Sequence, residues 1–338
     1  MFEQRQIGKT TAQVTPLGLG GAPFGDLFDA VSEEQAQQAL QAAWDAGVRY
    51  FDTAPYYGYG KSEHRVGRFL RQQPRQEFVI STKVGRVFRA PRNLATFDKG
   101  GWVGGLPFEF EYDYSYDGIM RSYEDSLQRL GLPSVDLLVI HDLDFYFHKN
   151  DARVSAYLSQ LFTSGWRALE ELRATKQIKG VGAGINELGM IPRFLDLIDL
   201  DFFLVAYGYN LLTQVMLESE FPLCAARNVS VIIGAVFASG ILATGAVPGA
   251  RYFYAPASDE MMDKTRQIEA ICQRHQTPLP AAALQFLLAH PVVAAIIPGA
   301  LGPEHVQSNV KLLQQPIPAA LWADLKQAGL LREDAPTP

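Results

Sequence analysis

Four side chains able to share a proton-transfer site stand at or just past the ends of three apolar runs: Asp52, Tyr57, Lys83 and His141. Asp52 is the first charge after a run that follows a helix stopping at Gly47, so a carboxylate sits where a buried strand meets its loop. In YFDTAPYYGYGKSE, Thr53, Pro55, Gly58 and Gly60 interrupt regular structure. Tyr56, Tyr57 and Tyr59 therefore ride on an irregular loop before a helix opens near Ser62. Lys83 ends the run 78–82 and His141 the run 135–140. An ammonium near Tyr57 would stabilise the phenolate and lower the phenol pKa, while Asp52 keeps the lysine charged and oriented. His141 would hydrogen-bond a substrate oxygen beside the tyrosine. Such a group interconverts an alcohol and a carbonyl when a hydride partner is present. Singly, each residue has an ordinary explanation: a turn-forming Asp, a solvated Lys, a packed Tyr, a semi-buried His. Placed together on three successive strand ends, they read as a site.

That placement requires a scaffold which gathers strand ends at one rim. Short apolar runs at 17–20, 48–51, 78–82, 135–140, 178–183, 202–206, 229–233 and 292–297 alternate with segments of helical period. Eight strands alternating with helices predict a parallel (β/α)8 barrel, a TIM barrel, spanning 1–338 as a single domain. The competing doubly wound sheet would want a GxGxxG loop opening a helix after its first strand, and the run Gly18, Gly20, Gly21 leads to none. Residues 4–9 and 11–15 predict an N-terminal β-hairpin beneath the barrel. Ser32 with Gln35 predicts a capping box. Helices are expected near 187–197 and 214–227, with two more in 258–289. The stretch 86–116 is read as a long aromatic loop over the substrate, and the tail REDAPTP as frayed.

The composition is that of a globular chain, with 338 residues, 48% hydrophobic, 20% charged and a net charge of -6. It excludes disorder and a generally basic nucleic-acid surface, and leaves small molecules as the expected partners. Cys224 and Cys272 lie in apolar helical contexts without a CxxC, which predicts burial and not disulfides. No apolar run reaches the length of a membrane span, so a cytoplasmic location is expected. His141, Asp142, Asp144 and His148 fit a strand end and turn better than a metal site, and no metal is expected.

FDTAPYYGYGKSE at 51–63, STK at 81–83, RSYEDSLQRLGLPSVDLLVIH at 121–141 and PGALGPEHVQSN at 298–309 resemble the aldo-keto reductases across essentially the whole barrel. The resemblance implies a catalytic tetrad of Asp52, Tyr57, Lys83 and His141, with a nicotinamide dinucleotide lying across the rim. The stretch 98–118, HDLD at 141–144 and GVGAGIN at 180–186 resemble the aldose 1-dehydrogenase branch, which handles L-fucose, D-threo-aldoses, L-galactose or pyridoxal. It implies oxidation of a sugar hemiacetal at the anomeric carbon to a lactone, with Tyr57 as general base. The alternatives are pyridoxal oxidation and general NADPH-dependent reduction of aldehydes or ketones. Trp102 and Phe108 are expected to close over the substrate ring, and Asp142 to shape its pocket.

For the cofactor, the resemblance assigns Asn186 to the carboxamide and Phe237 to stacking on the nicotinamide, with Gly240 and Leu242 in the same loop. Ala206 stands where a glutamine is usual. Pro298, Gly299, His305, Ser308 and Asn309 fall at the adenosine end. Members using NADP carry Lys and Arg there for the 2'-phosphate, whereas this chain has Gly299 and His305. NAD is therefore expected, with NADP the weaker ligand.

Overall fold

The computed structural model describes residues 2–338. All eight expected runs are strands: β1 (Leu19–Gly20), β2 (Tyr50–Asp52), β3 (Val79–Val84), β4 (Leu137–His141), β5 (Gly180–Ile185), β6 (Phe202–Val205), β7 (Ser230–Ile233) and β8 (Val293–Ile296). Each is a short apolar run because both faces of a parallel sheet are covered. They lie side by side in chain order, and parallel bridges from Leu17 to Ile296 and from Gly20 to Gly299 bring the last strand to the first. The result is a (β/α)8 barrel.

The barrel interior is filled by side chains such as Tyr50, Val139, Phe202 and Ile232, and is completed by Ile7, Ala12 and Val14. Those three belong to the hairpin Arg5–Gln6/Gln13–Val14. Gly8 at its tip has φ +48, and a Cβ there would lie 2.2 Å from the Asp201 carbonyl oxygen, just before β6. The hairpin thus plugs the amino-terminal end of the barrel. Chemistry is left to the opposite rim.

The helix Glu33–Asp45 starts with the expected Ser32/Gln35 box. Tyr116–Leu130 ends at Gly131 in the left-handed conformation, with φ 63. This helix and Lys61–Leu70 approach closely at Gly67, where a Cβ would sit 2.0 Å from the Leu130 carbonyl oxygen. Gly67→Ala should therefore push the two helices apart at a cost of about 1–3 kcal/mol. Urea denaturation should show a lower midpoint with an unchanged slope.

Four expectations need correction. The stretch 86–116 contains a regular antiparallel hairpin, Arg86–Arg89 with Glu109–Tyr112, in which Phe88 opposes Phe110. Arg86–Arg89 does not alternate, and Glu109–Tyr112 alternates polar and aromatic over four residues alone, the shortest run that can mark a half-buried strand. The helices expected at 187–197 and 214–227 shrink to Met190–Leu195 and Glu220–Ala226. Pro192 and Pro222 are tolerated only in a first turn, which fixes where each helix can begin. The tail is held in place, with Ala335 buried and Arg332 paired to Glu218 and Asp334. Among the described residues, no helix is long and apolar enough to cross a membrane.

Candidate active site

Strand register gathers the four candidate residues. Asp52 pairs with Ser81 across β2 and β3, Lys83 with Val139 across β3 and β4, and His141 with Gly184 across β4 and β5. The Lys83 ammonium donates to Asp52 Oδ2 at 2.7 Å and to the Thr53 carbonyl at 2.9 Å. Ser81 donates to Asp52 Oδ1 at 2.7 Å and lies 3.0 Å from the Tyr50 hydroxyl. Both members of the ion pair are 1% exposed. A pair so enclosed holds its geometry without competition from water.

Tyr57 lies over this pair, its ring centroid 4.6 Å from Lys83 Nζ. His141 meets it edge-on, with ring centroids 5.9 Å apart and planes at 83°. The structure brings all four residues into one pocket. It reverses one electrostatic expectation. Burial, then the carboxylates of Asp52 and Asp142, push the Tyr57 hydroxyl well above its ordinary value, and Arg86 opposes them. The Lys83 ammonium, engaged by Asp52 and the Thr53 carbonyl, does not offset that rise. His141 is pushed well below its usual pKa by burial and by Arg86 and Lys83. Its ring is therefore neutral at physiological pH.

Asp142, Asp144 and Asn186 form a polar cluster beside His141, completed by Arg86. Arg86, 2% exposed, donates to Asp142 Oδ2 at 2.9 Å, and Asp142 Oδ2 lies 3.2 Å from His141 Nε2. Asn186 Nδ2 donates to Asp142 Oδ1 and Asp144 Oδ2, both at 2.9 Å. Burial and the neighbouring Asp142 raise the Asp144 carboxyl to about 6. Asp142 is thus engaged on both oxygens and faces His141 instead of standing free as a substrate ligand. Nothing in RVFRAPR marks one arginine as buried.

The aromatic residues divide. Trp102 packs on Tyr57 and Tyr56, with centroids 5.6 Å and 5.4 Å apart. Its loop is anchored by Asp26, which accepts from Lys61 and Arg65, while Lys61 also donates to the Gly104 carbonyl at 2.9 Å. Phe108 instead stacks on Phe88 at 6.0 Å and is 38% exposed. It is not brought to the tetrad. A second hairpin, Arg251–Tyr252/Ala255–Pro256, carries Phe253 and Tyr254 at its tip. Phe253 touches Tyr146 and Tyr207, each with centroids 5.0 Å apart. Burial, then Tyr57 and Asp142, raise the Tyr254 phenol above its ordinary value. Two consecutive left-handed residues, φ 48 and 64, form this tip, and neither is the glycine that would have marked the turn.

Residues 16–329 match the aldo/keto reductase family. The chain is an aldo/keto reductase. It is 43% identical to pyridoxal 4-dehydrogenase of Microbacterium luteolum, over 97% of this chain and 98% of that one. It is 39% identical to D-threo-aldose 1-dehydrogenase of a Pseudomonas species, over 96% of both. In structure it is similar to the holo form of an aldo-keto reductase from Bacillus halodurans, with a TM-score of 0.74 and 25% identity, over 97% of this chain and 96% of that one. Enzymes of this family use nicotinamide cofactors, and this aldo/keto reductase is an oxidoreductase.

At the rim, a turn after β7 is open to such a cofactor. Ala238, Ser239 and Gly240 take φ 48, 62 and 113 before the short helix Ile241–Thr244. The Ala238 and Gly240 amides are bonded to the Ala235 and Phe237 carbonyls at 3.0 Å and 2.9 Å, so the Ser239 amide is the one left for a phosphate oxygen. No heavy atom lies within 4 Å of where a Gly240 Cβ would be, so a ligand can approach the backbone there. Pro298 and Gly299 follow β8, and the helix Pro303–Gln314 presents His305 and Ser308 at its surface with Asn309 buried. The open backbone at Gly240 and the exposed Ser308 leave room for a dinucleotide. Three positions contribute differently than expected: Leu242 is fully buried, Phe237 is half-buried against the core, and the Asn186 amide nitrogen is taken by the two aspartates. Only the Asn186 side-chain oxygen remains for a carboxamide.

Proposed function

We propose that this aldo/keto reductase oxidises the hemiacetal carbon of a small ring to a lactone. Two ring classes fit. An aldose closes on its own hydroxyl, and pyridoxal closes its aldehyde on the adjacent hydroxymethyl group. Both present a carbon bearing one hydrogen and one hydroxyl. The two relatives that act on pyridoxal and on D-threo-aldoses support this common chemistry. So do the aromatic walls of Trp102, Tyr56 and Phe253.

The observation that carries the proposal is the buried Asp52–Lys83 pair under Tyr57, with neutral His141 at its edge. In this reading Tyr57 Oη takes the proton of the hemiacetal hydroxyl as the C–H bond breaks. His141 donates to the substrate oxygen and fixes the carbon. Asp52 and Lys83 hold Tyr57 in place from below. The nicotinamide, when bound, accepts the hydride. Asn186 Oδ1, the 238–240 turn, Ser308 and Asn309 would hold the cofactor, and Trp102 would cover the substrate.

For the cofactor we propose NAD over NADP. No Lys or Arg occurs between Pro298 and Asn309 to meet a 2'-phosphate. His305 is instead paired with Glu304 at 3.0 Å, and that carboxylate would repel a dianion. Titrating protein fluorescence with each cofactor should give at least tenfold tighter binding of NAD, and tighter NADP binding would contradict the assignment. With NAD and a panel of L-fucose, D-arabinose, L-galactose and pyridoxal, at least one should yield reduced cofactor and a lactone. Turnover only of open-chain aldehydes with NADPH would make the protein a general carbonyl reductase.

A further inference from the structure

Arg86 is a fully buried cation outside the tetrad, and its chemistry is unusual. One nitrogen is bonded to Asp142 at 2.9 Å and lies 3.4 Å from the Tyr112 hydroxyl. Its Nε and its other terminal nitrogen have no hydrogen-bond partner. The guanidinium is instead boxed by the rings of Tyr56 at 4.4 Å, Tyr112 at 5.0 Å, and Phe110 and Phe147 at 5.3 Å. Taking a guanidinium and a carboxylate out of water is costly, and apolar side chains of similar volume usually pack as well or better. Asp142 adds to that cost with a left-handed φ of 51, uncommon for any residue but glycine. A pair kept under these conditions and aimed at the Nε2 edge of His141 calls for a use.

We propose that Arg86 and Asp142 are a positioning pair which keeps His141 neutral with its proton on Nε2, the state that donates to the substrate oxygen. This rests on the reading of His141 as that donor. The Asp142 carboxylate lies 3.2 Å from Nε2 without hydrogen-bonding to it, so its charge favours the tautomer protonated there and leaves that N–H for the substrate oxygen. Alone it would also attract a second proton to the ring. Arg86 cancels that attraction by neutralising the carboxylate, while Asn186 fixes its other oxygen. The charged and titratable groups around His141 are Asp142 and Asp144 after β4, Arg86 and Lys83 on and after β3, and Asp52 on β2. Tyr56 and Tyr57 in the β2 loop and Tyr114, whose hydroxyl donates to the His141 carbonyl at 3.0 Å, complete the set. With Asp52 paired to Lys83, Arg86 is the group whose removal exposes His141 to an uncompensated negative charge.

The test is nitrogen-15 NMR of histidine-labelled protein, with the His141 signal assigned by its loss in His141→Gln. In the wild type, His141 should remain neutral and Nε2-protonated from pH 5.5 to pH 8. In Arg86→Met its midpoint should rise by about 1–3 pH units, and kcat should fall toward acid with that midpoint. In Asp142→Asn the ring should stay neutral but lose its single tautomer. The double variant Arg86→Met/Asp142→Asn should show no acid limb. An unchanged His141 titration in Arg86→Met, or an Nδ1-protonated ring in the wild type, would overturn the pair's role. If Arg86→Met does not fold, the tautomer signal of Asp142→Asn decides, and a tautomer unchanged from the wild type refutes the proposal. Full turnover in His141→Phe, whose side chain has no donor, would instead refute His141 as donor, and the NMR result would still stand on its own.

Discussion

Tyr57→Phe should lower turnover by about 10²–10⁴-fold while leaving cofactor affinity within a factor of two or so, because only the proton acceptor is removed. The ring remains, so its contacts with Trp102 and His141 persist. The pH dependence should change with it. Burial and the carboxylates of Asp52 and Asp142 hold the Tyr57 hydroxyl above its ordinary value, so the base form accumulates only in alkaline solution. Wild-type oxidation should therefore accelerate as pH rises, without a limb near the ordinary histidine value, since His141 is already neutral there. In Tyr57→Phe the alkaline rise should vanish. A variant that kept both the rate and the rise would assign proton transfer to another group.

Lys83→Met should have the largest effect on stability. It leaves the Asp52 carboxylate, 1% exposed, with Ser81 as its remaining hydrogen-bond donor, and deprives the Thr53 carbonyl of its lysine. Breaking one side of a buried pair costs about 3–5 kcal/mol, most of it from the charge left behind. Urea unfolding should register that loss. The double variant Asp52→Asn/Lys83→Met should recover much of the stability and none of the activity, which separates the pair's structural cost from its catalytic use. Recovery of activity in the double variant would show that the pair serves folding alone.

The eight strands could be read from the sequence because each is buried on both faces, giving short apolar runs such as VIST and LLVI between turn residues. Asp52, Lys83 and His141 were visible for the same reason: each is the polar residue at which an apolar run stops. Once the strands were assigned to a barrel, the topology alone brought the three together. Arg86, Tyr254 and Phe253 were not visible. Their roles come from long-range packing of hairpins whose strands are only two to four residues long, too short for periodicity to register. Asp142 and Asn186 can be placed near strand ends from the sequence, but their hydrogen-bond partners depend on Arg86 and Asp144. Phe108 was placed by its aromatic character alone. It stacks on Phe88, whose direct partner across the 86–112 hairpin is Phe110.

Deuterium at the hemiacetal carbon gives the most direct examination of the hydride step. D-arabinose and pyridoxal, each labelled at that position, would be incubated with enzyme and NAD, and the reduced cofactor and ring product followed by NMR. The label should move to the nicotinamide C4 as an unlabelled lactone forms from at least one substrate, and Tyr57→Phe should suppress both signals together. Reduced cofactor without deuterium, or a labelled product still carrying its hemiacetal, would contradict oxidation at that carbon.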